Sequence, residues 1–147
     1  MRIYVASSWR NPYQPAVIKC LRDQGHEVYD FRNPRPGNQG FAWAEIDPGW
    51  LAWNPGTFRR ALLAPIAMDG FTTDSSAVYS CDCCVLVLPS GRSAHLEAGV
   101  AVGLGKKLFI YMPESCEPEL MYSWAEKICI TRDELIFALR DAKVGMK

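Results

Sequence analysis

Short apolar runs alternate along the chain with stretches whose apolar residues recur every three to four positions. Arg2–Ala6 is apolar and β-branched enough to predict a first strand. Pro15–Gln24 predicts a helix with Val17, Ile18 and Leu21 on one face and Gly25 as its stop. His26–Phe31 alternates around Val28 as a second strand. Thr57–Leu63 predicts a short helix, and Asp69–Cys81 a longer one with Phe71, Ala77 and Val78 inward. The run Cys83–Leu88 predicts a buried third strand that ends in a short Pro-Ser-Gly turn. A helix over Ser93–Leu104, a strand over Leu108–Met112, a loop over Glu114–Leu120, a strand over Lys127–Thr131 and a helix over Arg132–Lys143 complete the pattern. Asn33–Gly56 stands apart. It is rich in proline and glycine and holds four large aromatics, Phe41, Trp43, Trp50 and Trp53. It is too apolar for disorder and too broken for one long element, and such segments inside compact domains are usually functional.

Strands alternating with helices imply a parallel sheet covered on both faces. Five strands suggest an α/β flavodoxin-like three-layer sandwich in the order 2-1-3-4-5, with its switch point between the first and third strands. The loops Ser7–Pro12 and Pro89–Ser93 then face each other across one crevice. Residues 1–147 read as a single domain with an aromatic-rich insertion at about 33–56, and no internal repeat is seen.

Composition narrows the function. Apolar residues make up 49%, charged residues 22%, and the formal net charge is zero. A nucleic-acid binder relying on a general basic field is therefore not expected. Val78–Pro89 is too short for a membrane span and holds Asp82. The start, MRIYVASSWR, has no signal-peptide pattern, so a cytoplasmic protein is expected. Cys81-x-Cys83-Cys84 invites a metal reading, but Cys83 and Cys84 open a buried strand and point to opposite faces. Small buried apolar residues are the expectation for the cysteines, with no disulfide and no metal.

Glu97 is the leading chemical candidate. With Ser93 as N-cap, it falls in the first turn of a helix at the carboxyl end of a central strand. There the helix dipole favours a carboxylate, which can act as a nucleophile or stabilise a cation. Ala94, Ala98, Gly99 and Ala101 keep that helix slim. Ser90-Gly91-Arg92-Ser93 combines hydroxyls, a permissive glycine, a cation and free helix N–H groups, the ingredients of an anion site. An ordinary strand–helix turn remains open. Arg10 offers a second cation across the crevice. Asp74 shares a helix side with Val78 and Cys81, an unusual place for aspartate, and Asp82 is expected to cap that helix's end. His95 points elsewhere on its helix than Glu97 and is not assigned a catalytic role.

The pattern Ile3-Tyr4-Val5-Ala6-Ser7-Ser8, Asp74, the helix end Ala77…Asp82, and Glu97-Ala98-Gly99…Gly105-Lys106-Lys107 resemble the nucleoside 2-deoxyribosyltransferase superfamily. That group includes 2'-deoxynucleoside 5'-monophosphate N-glycosidases. The resemblance implies a flavodoxin-like fold and a glutamate that attacks the anomeric carbon. By it Glu97 is the nucleophile, Asp74 serves the sugar hydroxyls or acid–base steps, and Tyr4 orients the glutamate. Ser7, Ser8, Arg10 and Ser90, Gly91, Arg92 and Ser93 are then substrate-binding, with Ser8, Arg10 and the turn Ser90–Ser93 matching the phosphate-binding positions of the monophosphate-acting branch. Transferases of the family often carry an aspartate about six residues before the glutamate. Gly91 stands there here, which argues against classical base exchange and favours hydrolysis or a different leaving group. Trp43 and Trp53 either stack on a base or form a local aromatic core.

An oxocarbenium-like transition state is stabilised, and can be trapped, by a nearby carboxylate without any cofactor. The expected ligand is a small-molecule nucleoside or nucleotide, and the expected assembly a homo-oligomer, with no nucleic-acid or membrane partner. Two rivals remain: a TIR-like NAD-cleaving hydrolase and a non-catalytic nucleotide-sensing module.

Overall fold

The computed structural model describes residues 1–145. Its central feature is a five-stranded parallel sheet in the order β2-β1-β3-β4-β5. The strands are β1 (Arg2–Ala6), β2 (Glu27–Tyr29), β3 (Cys83–Val87), β4 (Lys107–Tyr111) and β5 (Lys127–Cys129). The helices are α1 (Gln14–Asp23), α2 (Pro55–Ala61), α3 (Pro65–Ser80), α4 (Arg92–Gly103) and α5 (Arg132–Gly145). By contacts the chain forms two compact units, one of Met1–Asp30 with Ala77–Lys147 and one of Phe31–Ser76.

The sheet unit is a three-layer α/β sandwich. Residues of odd number in β1 and β3, such as Ile3, Val5, Val85 and Val87, pack with Val17, Ile18 and Leu21 of α1 and Leu135 and Leu139 of α5. Residues of even number, Tyr4, Ala6, Cys84 and Leu86, pack with Ala94, Ala98 and Ala101 of α4 and with Val78. Cys83 and Cys84 thus face opposite layers, as their alternation predicts. Every residue of β3 is buried, because a central parallel strand is covered on both faces. Each large aliphatic side chain buried this way contributes roughly 1.5–3 kcal/mol.

Two helices end alike. Gly25 (φ 76°) follows α1 and Gly105 (φ 74°) follows α4. In each case the glycine N–H and the next N–H turn back onto helix carbonyls: Gly25 to Arg22 and His26 to Leu21, Gly105 to Val102 and Lys106 to Ala101. These are Schellman ends, which need a left-handed residue and deliver the chain into β2 and β4.

The second unit carries α2, most of α3 and two single 3-10 turns, Trp43–Glu45 and Trp50–Ala52. Trp43 is its hub. Its ring meets Phe41, Trp53 and Phe58 edge to face, with centroids 4.7, 5.7 and 5.6 Å away. The Trp53 indole N–H donates to Asp47 at 2.6 Å, and the Gly49 N–H donates to the other carboxylate oxygen at 2.8 Å. These bonds hold the Asp47 carboxyl below its usual range.

Three expectations change. The α3 helix starts at Pro65, four residues before Asp69, because proline suits a first helical position. Phe71 is 73% exposed rather than inward. Asp82 does not cap α3: its carboxylate accepts the Arg2 N–H at 2.7 Å and pairs with the Arg2 guanidinium at 3.5 Å. These bonds, the Arg2 N–H first, hold its carboxyl below the usual range. No helix among the described residues is long and apolar enough to cross a membrane.

Candidate active site at the ends of β1 and β3

The switch point of the 2-1-3-4-5 order lies where β1 and β3 pair, with Tyr4 beside Cys84 and Ala6 beside Leu86. Ligand crevices of open α/β sheets form at the carboxyl ends of such strands. Two side chains tie the loop after β1 to the end of β3. The Ser7 hydroxyl donates to the Val87 carbonyl at 2.9 Å. The Asn11 amide donates to the Val87 and Pro89 carbonyls at 3.1 and 2.8 Å, while its oxygen accepts the Tyr13 and Gln14 N–H groups at 2.7 and 2.9 Å. Buried Asn11 therefore ties the loop after β1 both to the turn after β3 and to the start of α1. Sequence reasoning missed it. Its one local signal is the Asn-Pro step just before a helix. Ser7 spends its proton on the fold, although its oxygen can still accept.

Beyond the Leu88–Pro89 bond, which is cis, the chain turns into α4. The Ser90 hydroxyl is buried and has no hydrogen-bond partner. Gly91 is the N-cap, in extended conformation (φ −87°, ψ −176°), with no side-chain cap. Ser93 is therefore the second residue of the helix and not its N-cap. The turn consumes only Pro89 and Ser90, and glycine is itself an acceptable cap. Glu97 moves accordingly from the first turn to the second. A Cβ on Gly91 would meet nothing within 4 Å, so packing does not demand glycine there. Arg92 and Ser93 are exposed in the first turn, where main-chain N–H groups lack intrahelical partners. Ser8 is half-buried and Arg10 exposed.

Glu97 is half-buried beside the inner face of α4, flanked at helical spacing by buried Ala94, Ala98 and Ala101. Gly99 faces open space, so only the alanines serve close packing. Cys84 has its thiol pushed well above the usual value, first by burial, then by Cys81 and Cys83, and also by the charge of Glu97. Tyr4 is fully buried and stacks on Tyr29, with centroids 5.3 Å apart and planes 13° apart.

The sheet unit thus contains Tyr4, Ser7, Ser8, Arg10, the turn Ser90–Ser93 and Glu97. Trp43, Trp53 and Asp74 belong to the other unit, where Asp74 is half-buried on α3. Among the described residues no three His, Cys, Asp or Glu side chains converge as a metal site would require. All six cysteines are free.

Two solved structures share this architecture. A 2-deoxyribosyltransferase from the psychrotolerant bacterium Bacillus psychrosaccharolyticus superposes with a TM-score of 0.65 at 18% identity, covering 92% of this chain and 90% of that one. The fold is that of a 2-deoxyribosyltransferase. A CMP N-glycosidase from Clostridium botulinum superposes with a TM-score of 0.51 at 16% identity, over 95% of this chain and 99% of the other. No protein-family model and no curated protein matches the sequence. At these identities the likeness establishes the fold, including the strand order that the alternating pattern predicts.

Proposed function

We propose that this protein cleaves the N-glycosidic bond of a nucleoside or nucleoside 5'-monophosphate with Glu97 as nucleophile. The observation that carries this reading is the place of Glu97: half-buried on α4, the helix that follows β3, whose pairing with β1 makes the switch point. The shared fold of a deoxyribosyltransferase and a CMP N-glycosidase supports the same bond as the target. A Glu97 carboxylate oxygen attacks the anomeric carbon. The C–N bond breaks, its electron pair leaves with the base, and the base takes up a proton. Water then adds to the anomeric carbon, the glycosyl ester breaks, and the free carboxylate returns.

The anion turn supplies the phosphate end. Main-chain N–H groups at the start of α4, the unpartnered Ser90 hydroxyl and Arg92 are the donors, with Arg10 and Ser8 opposite. Gly91, where transferases of the resembling family often place an aspartate, favours water over a second base as acceptor. By the same resemblance Asp74 serves the sugar hydroxyls or acid–base steps.

The test is a screen of nucleosides, 5'-monophosphates and NAD for released base, read by chromatography, with rapid quenching to trap a glycosyl adduct on the Glu97 peptide. Base release from a monophosphate together with that adduct supports the proposal. Release from NAD alone moves the assignment to a TIR-like hydrolase. No release from any substrate at enzyme-equivalent concentrations leaves the nucleotide-sensing reading.

A further inference from the structure

His95 sits in the first turn of α4 and bonds at both ring nitrogens. Its Nδ1 lies 2.8 Å from the Gly91 carbonyl oxygen, and its Nε2 lies 2.9 Å from the Tyr122 hydroxyl. A carbonyl can only accept, so Nδ1 donates to Gly91, and Nε2 pairs with the Tyr122 hydroxyl, which can serve as donor or acceptor. The two rings also stack, with centroids 5.8 Å apart and planes 14° apart. Tyr122 lies in the single 3-10 turn Leu120–Trp124 between β4 and β5. The imidazole therefore ties the turn after β3 to a connection that is remote in sequence.

The carbonyl it holds is the sensitive one. Gly91 has no Cβ, and nothing lies within 4 Å of where one would be. Without a Cβ its backbone has a wider allowed range than any other residue, so the direction of its carbonyl depends on the bonds it accepts. The main-chain bond that should anchor its carbonyl, from the His95 N–H, is long at 3.4 Å. The imidazole bond is much the shorter of the two. Rotating the Gly91–Arg92 peptide would swing the Arg92 N–H out of line, and an N–H bond weakens steeply once misaligned.

We propose that His95 and Tyr122 form a positioning pair that aims the Gly91–Ser93 main-chain N–H groups, and so sets the preference for a 5'-phosphorylated ligand over the bare nucleoside. The ligand class rests on the function proposed above; the pairing rests on its own geometry. Neither residue touches the reacting carbon.

The experiment compares the full-length protein with His95→Ala, His95→Asn and Tyr122→Phe. Dissociation constants are measured by calorimetry for a deoxynucleoside 5'-monophosphate, the matching nucleoside and inorganic phosphate, and base release is measured in parallel. His95→Ala weakens the monophosphate and inorganic phosphate by about tenfold and the nucleoside by less than about twofold, the size expected for one misdirected charge-assisted bond. His95→Asn restores most of the loss, because its amide nitrogen can stand near the Nδ1 position and donate to Gly91. Tyr122→Phe gives an intermediate loss. A role confined to stability would lower the melting temperature and leave these ratios unmoved. Equal weakening of phosphorylated and bare ligands, an asparagine variant no better than alanine, or a parent protein that binds neither monophosphate nor phosphate overturns the pair. Should His95→Ala fail to fold, the asparagine and phenylalanine variants carry the same comparison. Phosphate-selective binding without base release by the parent protein refutes the catalytic reading while leaving the positioning pair in place.

Discussion

Along β3 every residue from Cys83 to Val87 is buried, whereas within Phe31–Ser76 the buried hydrophobic residues are Ala61 and Ala67. The sheet unit is stabilised by aliphatic side chains sealed between layers. The other unit relies on half-buried rings meeting edge to face around Trp43, and on turns closed by Asp47, Asn54 and Glu45. Area burial is strong and non-directional, while each aromatic pair adds about 0.5–1.5 kcal/mol and depends on geometry. The unpartnered Ser90 hydroxyl lies in the unit with the sealed aliphatic core.

The largest effect should come from chemistry held by the stable unit. Glu97→Gln removes the charge and keeps the shape. Turnover is expected to fall by several orders of magnitude, with stability changed by less than about 1 kcal/mol, since no buried volume is lost. Near-normal base release by that variant would remove the nucleophile, and loss of folding would make Glu97 a structural residue. Asp74→Asn should lower turnover less than Glu97→Gln. Next, Leu86→Ala should destabilise the sheet unit by about 2–5 kcal/mol, read by denaturant unfolding. Trp43→Ala should cost about 2 kcal/mol for its lost ring pairs, with faster hydrogen exchange confined to Phe31–Ser76. Exchange that accelerates equally in β1 and β3 would erase the contrast between the units.

Smaller effects sharpen it. A Cβ on Gly70 would lie 3.0 Å from the Phe41 Cβ, so Gly70→Ala should loosen the aromatic unit slightly and leave the sheet protected. In the sheet unit, buried His26 has its imidazole held below the usual value, first by burial and then by the N-terminal amine and Lys143. Its depressed value means the unfolded chain binds the proton more readily. The sheet unit should thus lose stability as pH falls below about 6.5, the ordinary histidine value, and keep it above. His26→Gln should flatten that part of the stability profile, which thermal melts across pH 5–7.5 would read.

The sheet was legible in the chain because its signals are local and periodic. All five strands lie where alternation or apolar runs place them, and Gly25 stops α1 as its sequence suggests. Where periodicity is weak, the reading slipped. Ile66 and Met68 in the first turn of α3 are apolar yet exposed, so the apolar residues at that start follow no inward-facing period. Leu120, Met121 and Trp124 are likewise exposed, and the loop expected over Glu114–Leu120 meets the 3-10 turn Leu120–Trp124 only at its first residue. In the site, the turn Ser90–Ser93 and Glu97 stood out as residue types in a strand–helix junction. Asn11 and the His95–Tyr122 bond did not, because their meaning comes from partners many residues away in sequence.

The distribution of sulfur has a practical consequence. All six thiols lie in the sheet unit, and Cys20 and Cys116 are the two that are half-exposed. Burial pushes the Cys83 thiol up to about 12 and the Cys84 thiol well above its usual value, and it raises Cys81 and Cys129 as well. Alkylating reagents attack thiolates, so the native chain offers two labelling handles and four silent ones. Each slow modification of the silent four then registers one opening of the sheet, and the probe is blind to whatever Phe31–Ser76 does.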